Sequence, residues 1–329
     1  MKCVIPFQLK YFSMFNIKTL FITAVFLIPT LQYGQHTDEI NSNRPGESMS
    51  AFAVGKTVFQ VETGIFGIKE SHSLLNYDAN GIGSDLTIRY GAFLEGLEFI
   101  ANVQYVIETF NYPMNSVDKS DFKQTVFGAK YLIYDPNKGY KKEANIYSWK
   151  ANHKFNWHQV IPAVALYAGA NFTAADNPYS FSPESSISPK VNLILQNHLG
   201  DGSWVFVTNI IYNYATTDYP SLSYILTLTK GISPKWSAFV ENQGIKSDFY
   251  SDAIVRGGAA YLINKNLQVD ASISTNFKDT PSILYGGVGV SWRWDGHYKE
   301  VHLLTKEEQA AEKMAKKSNT KKGFKKTKK

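Results

Sequence analysis

The sequence of 329 residues has few charged residues, almost no cysteine and no long apolar run. Charged side chains make up 19% of it, and the one cysteine is Cys3. A helix that crosses a bilayer needs about 20 consecutive apolar residues, so the sequence argues against a helical membrane protein. Because Cys3 precedes every segment expected to fold, the folded body has no thiol for disulfides, zinc binding, catalysis or lipid attachment.

Basic charge is also scarce in the body of the chain, although the net charge is +6. Residues 299–329 carry eleven Lys and four Glu, a charge of +7, and residues 1–34 carry three Lys. Removing these two ends leaves about −4 for the residues between them. A nucleic-acid groove needs positive charge concentrated on the folded domain, so we expect no nucleic-acid partner.

Residues 1–34 have the features of a secretion signal. Lys18 precedes an apolar stretch at residues 20–31, which is too short to span a bilayer, and Gly34 follows it. A basic residue, an apolar segment of about 7–15 residues and a small residue near its end are typical of signal peptides. We predict cleavage near Gly34, with either Met1 or Met14 as the start of the chain. An uncleaved N-terminal anchor is the alternative.

Aromatic residues are abundant, with 20 Tyr and 21 Phe, and polar and apolar positions alternate repeatedly. Segments of about ten alternating residues separated by turns are typical of transmembrane β-barrels, in which one face meets lipid and the other the lumen. Twelve such segments occur, an even number as bacterial barrels require. They are Thr57–Gly67, Asp85–Gly91, Leu97–Ile107, Phe122–Tyr134, His158–Phe172, Lys190–His198, Ser203–Tyr214, Leu222–Thr229, Trp236–Gly244, Ala253–Ile263, Leu267–Asn276 and Ile283–Trp294.

The predicted fold is therefore all-β, a transmembrane antiparallel β-barrel of about twelve strands over residues 57–294. An N-terminal segment at 35–56 precedes it, and a basic tail at 295–329 follows it. A soluble sandwich or lipocalin-like barrel would alternate too, but it would turn its apolar face inward. The strand lengths, the Tyr and Trp residues near strand ends and the secretion signal favour the membrane barrel.

The predicted connections alternate in length along the chain. Short ones at 93–96, 200–202, 231–235 and 264–266 alternate with longer ones at 68–84, 108–121 and 173–188. Short periplasmic turns and long external loops are typical of outer-membrane barrels, which places both ends of the barrel chain in the periplasm. The long gap at 135–157 breaks the alternation and indicates either a hidden hairpin or an insertion.

The polar face of the strands supplies the candidate site residues. Side chains expected to face the lumen are Gln60, Glu62, Arg89, Glu98, Asn102, Gln104, Lys130, Asn192, Asn209, Glu241, Arg256, Asp270 and Arg293. They either select solutes by a field across the lumen or only complete its internal ion pairs and hydrogen bonds. A barrel of about twelve strands has a narrow lumen, so Arg44 and Pro45 are candidates for a plug.

No residues have the spacing of a catalytic or metal site, and we expect no cofactor. His153, His158 and His198 are scattered along the chain and lack the spacing of metal ligands. Some membrane-barrel lipases use a Ser/His pair, which His198 and Ser203 would resemble. The two residues are separated only by a hairpin turn, so coincidence is the better interpretation.

The basic tail has two parts. Leu303–Lys317 is rich in helix-forming residues, whereas residues 316–329 hold eight Lys and no acid, a composition typical of disordered, solvated chain. The tail either contacts an anionic periplasmic polymer or the inner leaflet of the outer membrane, or it is passive. It also separates the last aromatic residues of the barrel from the chain end, so the barrel-assembly machinery would have to recognise Trp292–Trp294 internally.

The start of the predicted barrel resembles the MetA-pathway phenol-degradation family of outer-membrane proteins. The residues that carry the resemblance are Asn43, Arg44, Pro45, Ser50, Gln60, Glu62 and Gly64, with later echoes at Arg89–Gly91, Gly128–Tyr131, Glu241, Asp270 and Gly289–Arg293. It runs from about Asn41 to Trp294, and Asn43 replaces the commoner Asp. The resemblance implies an outer-membrane barrel with a transport role for hydrophobic or aromatic compounds, without naming a substrate.

We therefore expect an outer-membrane channel or transporter for small solutes, hydrophobic or aromatic ones included, and not an enzyme. Its expected partners are outer-membrane lipid, the barrel-assembly machinery and a small solute. A closed barrel with a structural or anchoring role is the first alternative, and a lipid-modifying membrane enzyme is the second.

Overall fold

The computed structural model describes residues 40–140, 147, 156–174, 176–180, 186–200, 202–248 and 250–296. Within these residues, twelve antiparallel strands form one closed barrel in which β12 lies beside β1. The strands are β1 (Val58–His72), β2 (Tyr77–Gly91), β3 (Leu97–Asn111), β4 (Ser116–Tyr134), β5 (Ala163–Phe172), β6 (Ile187–Leu199), β7 (Trp204–Asn213), β8 (Ser221–Gly231), β9 (Trp236–Ser247), β10 (Ser251–Asn264), β11 (Leu267–Asn276) and β12 (Ser282–Asp295). The predicted all-β barrel of twelve strands is confirmed. The predicted signal peptide and most of the predicted tail lie outside the described residues.

The long gap predicted at 135–157 lies between β4 and β5. Strand β4 pairs directly with β5, from Val126 opposite Asn171 to Tyr134 opposite Val164, so no further hairpin enters the barrel wall here. A short 3-10 helix, Trp157–Val160, precedes β5 and is capped by the side chain of Asn156. The predicted start of this strand at His158 was therefore wrong, because the chain becomes extended only at Ala163.

The outward face of the barrel is an apolar belt. Each strand contributes at least one exposed large apolar side chain: Ile65, Leu86, Phe99, Phe127, Leu166, Val191, Ile210, Leu228, Val240, Ile263, Ile273 and Val288. The inward face instead buries charged residues such as Arg89, Glu98 and Lys130. Apolar outside and polar inside is the reverse of a water-soluble barrel and is the pattern of a membrane-spanning one.

Aromatic side chains border this belt at the end of the barrel where β1 begins, here called the near end. Tyr90, Trp204, Trp236, Trp292 and Trp294 are all exposed there, and the rings of Trp236 and Tyr261 lie 4.8 Å apart. Such rings are enriched where a membrane meets water. No helix among the described residues is long and apolar enough to cross a bilayer.

The opposite end, the far end, carries an extension of β1–β4. These strands have 15, 15, 15 and 19 residues, whereas β5–β12 have 10 to 14. Most of the chain predicted as long loops at 68–84 and 108–121 is therefore strand, joined by the short turns at 73–76 and 112–115. The loop prediction was wrong because the outward positions of this extension (residues 68–81 and 108–121), such as Lys69, Asn80 and Asp118, are polar.

Candidate functional site

The chain ahead of β1 runs inside the barrel. Residues 41–54, here called the inner segment, bond through their backbone atoms to side chains that project into the lumen from many strands. These side chains are Gln60, Glu62, Arg89, Glu98, Lys130, Gln196, Asn209, Glu241 and Gln268. Because a buried backbone N–H or C=O group must find a partner, these polar side chains are what allow a peptide segment to occupy the lumen.

An ion-pair network lies beside both ends of the inner segment. Arg89 donates to both oxygens of Glu98, at 3.0 and 3.1 Å, and to Glu62 at 3.1 Å, and Lys130 Nζ lies 2.7 Å from Glu98. All four side chains are at most 1% exposed. Such a network is strongly interdependent, since removing one partner leaves an uncompensated buried charge.

The same residues hold the segment. The carbonyl oxygen of Asn41 accepts hydrogen bonds from Arg89 at 2.6 Å and Gln60 at 3.1 Å, and the N–H of Asn43 donates to Glu62. The N–H of Val54 donates to Glu98 at 2.8 Å. The network therefore joins strands of the barrel wall to one another and also binds the inner segment.

Arg44 joins the inner segment to the part of the wall formed by β2, β1, β12 and β11. Its guanidinium forms an ion pair with Asp85 on β2 and another, at 3.2 Å, with Asp270 on β11. Room for it comes from Gly64 and Gly289, where any Cβ atom would overlap the guanidinium. Burial lowers the pKa of Arg44, but the carboxylates of Asp270 and Asp85 more than offset this and raise the pKa, so Arg44 remains a cation.

Glu241 on β9 binds the middle of the segment. Its carboxylate accepts hydrogen bonds from the N–H groups of Glu47 and Ser48, at 3.2 to 3.3 Å, and from Thr227 at 2.8 Å. It also pairs with Arg256. A Cβ atom on Gly46 would come 2.7 Å from this carboxylate, so the glycine permits the close approach.

The last part of the segment is held by amides and by apolar packing. Asn209 accepts from the N–H of Met49 at 2.8 Å and donates to its carbonyl at 3.0 Å, and Gln196 accepts from the N–H of Ala51. Ala51 and Phe52 belong to a buried apolar cluster with Ile100, Val126, Ala163, Ala165, Tyr167, Ile194 and Val207 of the barrel wall. This packing explains why β5 is apolar on both faces.

The other candidate residues line the lumen without contacting the segment through a hydrogen bond. Asn102 donates to Thr87 at 2.7 Å, and Asn192 donates to Asn209 at 2.9 Å. Gln104 lines a cavity on the far side of the inner segment, and Arg293 is buried on β12. The sequence did not point to Gln196 or Gln268 among the residues that bind the segment, although their inward parity on β6 and β11 was a usable signal.

The inner segment divides the lumen into two chambers. The far chamber has a volume of about 340 Å³ and the near chamber about 670 Å³. Asn43, Arg44, Pro45 and Gly46 line both. A third cavity of about 190 Å³, the far mouth, shares Lys123 and Gln124 with the far chamber. The far chamber therefore adjoins the far mouth on one side and the inner segment on the other.

The described residues give little basis for catalysis. His198 lies beside Gln196, 3.1 Å from its amide nitrogen, with its ring against Phe52, whereas Ser203 accepts a hydrogen bond from Lys230. Within the same residues, no group of three or more His, Cys, Asp or Glu side chains is arranged to hold a metal ion.

Comparison with protein families shows to which family the chain belongs. The model of a family described as "Putative MetA-pathway of phenol degradation" matches residues 42–294, which comprise the inner segment and almost the whole barrel. The chain belongs to this family. The resemblance carried by Asn43–Pro45 and Gln60–Gly64 is thereby confirmed, and the apolar belt agrees with the predicted outer-membrane location.

Solved structures with a similar barrel have low sequence identity to this chain. The COG4313 outer membrane channel from Pseudomonas putida F1 is 10% identical, over 78% of this chain and 100% of that chain, with a TM-score of 0.46. The translocator domain of the autotransporter NalP from Neisseria meningitidis is 10% identical, over 72% and 89%, with a TM-score of 0.43. The CymD monoaromatic hydrocarbon channel is 10% identical, over 74% and 90%, with a TM-score of 0.39. No curated protein matches the chain.

Proposed function

We propose that the protein is an outer-membrane channel for small solutes, hydrophobic or aromatic ones included, and that its inner segment is a displaceable plug. The observation that carries this proposal is the division of the lumen: the four residues 43–46 line both chambers. Displacing so short a segment would join two existing cavities without rebuilding the wall. The buried network of Arg89, Glu98 and Lys130 would stay in the wall.

The far mouth supports a preference for aromatic solutes. Tyr179, Tyr214, Tyr219 and Tyr250 line it together with Ile245. Tyrosine rings offer large apolar faces and a polar edge, which suits a small solute that carries a ring and a few polar atoms. The family description, which refers to phenol degradation, agrees with such a solute.

Arg44 is the residue with which to test the plug. Replacing Arg44 with Ala removes the bridge to Asp85 and Asp270, and the loss of charge-assisted hydrogen bonds there is expected to destabilise the plugged state by about 1.5–3 kcal/mol. In planar bilayers, the open fraction of R44A should therefore rise at least about tenfold over wild type. R44K, which keeps the charge without the fork of donors, should lie between them.

An aromatic alcohol added on the far side should then block the R44A current at lower concentration than a sugar of similar size. If wild type and R44A conduct equally, the inner segment is not the plug. If neither conducts although both are folded, the closed structural barrel is the better assignment. Among the described residues, His198 contacts Gln196 and Ser203 accepts a hydrogen bond from Lys230, and a lipid-hydrolysis assay tests the lipid-modifying alternative directly.

A further inference from the structure

Lys190 differs from the paired cations of the lumen. Arg44, Arg89, Lys130 and Arg256 each lie within 4.0 Å of a carboxylate. Lys190 projects inward from β6 between Ser188 and Asn192 and lines the far chamber. Within the described part of the chain it forms neither an ion pair nor a hydrogen bond.

Tyr167 brings a second donor to the same place. Its hydroxyl lies over Gly169 and Gly128, since a Cβ atom at either glycine would come 2.5 Å from the Tyr167 oxygen. Gly169 is the residue directly opposite Lys190 in the pairing of β5 with β6. The side chain of Tyr167 is buried and also lines the far chamber, and its hydroxyl has no hydrogen-bond partner among the described residues.

The ammonium group of Lys190 and the hydroxyl of Tyr167, two donors that lack acceptors, therefore face the far chamber across Gly169. A buried phenol normally places its hydroxyl against a partner, and an ammonium group needs a counter-charge when it leaves bulk water. The glycines at 128 and 169 make room for the Tyr167 ring and hydroxyl beside the chamber. A ligand that brings oxygen acceptors and a negative charge would satisfy both groups.

Glu47 is an acid that lines the far chamber together with Lys190. Glu47 belongs to the inner segment, its side chain is 60% exposed, and its closest cation is Arg256 at 4.0 Å. The plug itself thus brings a negative charge into the chamber that Lys190 lines. Once the plug is displaced, Lys190 would face the chamber without it.

Apolar side chains lie among the polar residues of the far chamber. Ile100 on β3 and Val126 on β4 line the wall beside Tyr167, Phe66 lines it from β1, and the volume of about 340 Å³ suits a small molecule. From this geometry we infer that the far chamber is a binding site for small monocarboxylates with an apolar body, whose carboxylate is held by Lys190 and the Tyr167 hydroxyl. The inference rests on the proposed channel function and specifies its solute class.

The test is equilibrium binding in detergent, which needs no transport, with benzoate and benzyl alcohol as probes. Benzoate should bind wild type, and K190M, which keeps the length of the side chain but not its charge, should weaken binding by about tenfold or more. Y167F should weaken it by a smaller factor, and K190R should preserve it. K69M, a change on the outward face of β1, is the matched control and should bind as wild type does.

Benzyl alcohol, which has the same ring but no charge, should bind more weakly than benzoate and should not respond to K190M. Equal binding of the two probes to wild type, no binding of benzoate, or an unchanged benzoate affinity in K190M and Y167F would overturn the inference. Heat-dependent gel mobility establishes that each variant is folded, and Y167F with K190R decides the question if K190M does not fold. Because conductance is measured separately, a failed plug and a failed carboxylate site give different results.

Discussion

The belt and the extension are built from the same strands but have opposite polarity. In the belt, β1 presents Ile65 outward and buries Glu62 in the lumen. A few residues further along the same strand, in the extension, it presents Lys69 outward and buries Ile68. Backbone pairing continues through the change, from Glu62 opposite Thr87 to Lys69 opposite Asn80.

The difference shows that the medium around the wall, lipid or water, determines whether polar or apolar side chains face outward. The strand conformation does not determine it. Where lipid surrounds the wall, apolar side chains point outward and the interior must satisfy its polar groups. Where water surrounds the wall, polar side chains point outward, and Ile68, Ala79 and Phe110 are buried on the inward face together with Glu108. The position at which the polarity inverts therefore marks the far boundary of the membrane.

The largest effect should come from the buried ions inside the belt. Replacing Glu98 with Gln leaves Arg89 and Lys130 with one negative charge fewer in a buried site, and we expect a loss of about 3–5 kcal/mol in the free energy of unfolding. D118N, on the outside of the extension, removes the charge of a carboxylate that accepts an exposed hydrogen bond from Thr109. It should change the free energy of unfolding by less than about 0.5 kcal/mol. Urea titration of folding into lipid vesicles measures both, and equal losses would contradict the comparison.

A somewhat smaller effect is expected on the outer surface. Val240 is 61% exposed near the middle of β9, and V240R places a charge in lipid at an expected loss of about 2–4 kcal/mol. N80R places the same charge on the exposed outer face of the extension, where water solvates it, so the same titration should detect almost no change. If N80R is as damaging as V240R, the membrane boundary lies closer to the far end, beyond Asn80, than the polarity inversion indicates.

The smallest effect should come from the interior of the extension. Ile68 is 4% exposed, and I68V removes one buried methylene group, for an expected loss of about 0.5–1.5 kcal/mol. The control is S71A on the outward face of the same strand, which should be neutral. Hydrogen exchange of the amides in residues 68–81 localises the effect, and unchanged exchange in I68V would show that this interior contributes nothing.

The sequence predicted the barrel well because lipid imposes a simple rule on the belt. Period-two alternation located all twelve strands, and the parity of Gln60, Glu62, Arg89 and Glu241 placed them on the face that the structure buries. The motif at Asn43–Pro45 indicated the family before any comparison. These signals depend only on residues that are close together in the sequence, so they can be recognised without knowledge of the fold.

What the sequence could not predict depends on contacts between distant residues. The far parts of β1–β4 were missed because the alternation inverts there, and polar outward positions resemble a loop. Strand β5 was ambiguous because its inward residues Ala163 and Ala165 pack against Ala51 and Phe52 of the inner segment. Likewise, the partners of Arg44 are on β2 and β11, and no spacing along the chain relates them.

The contacts of the inner segment also set an order for biogenesis. Arg44 bonds to Asp270 across 226 positions of the chain, and Ser42 bonds to Ser291 across 249. These partners are on β11 and β12, the last strands to be synthesised and exported. The inner segment, which reaches the periplasm before the barrel strands, can therefore make its final contacts only after the last strands have arrived. A docked inner segment thus indicates that the barrel has closed.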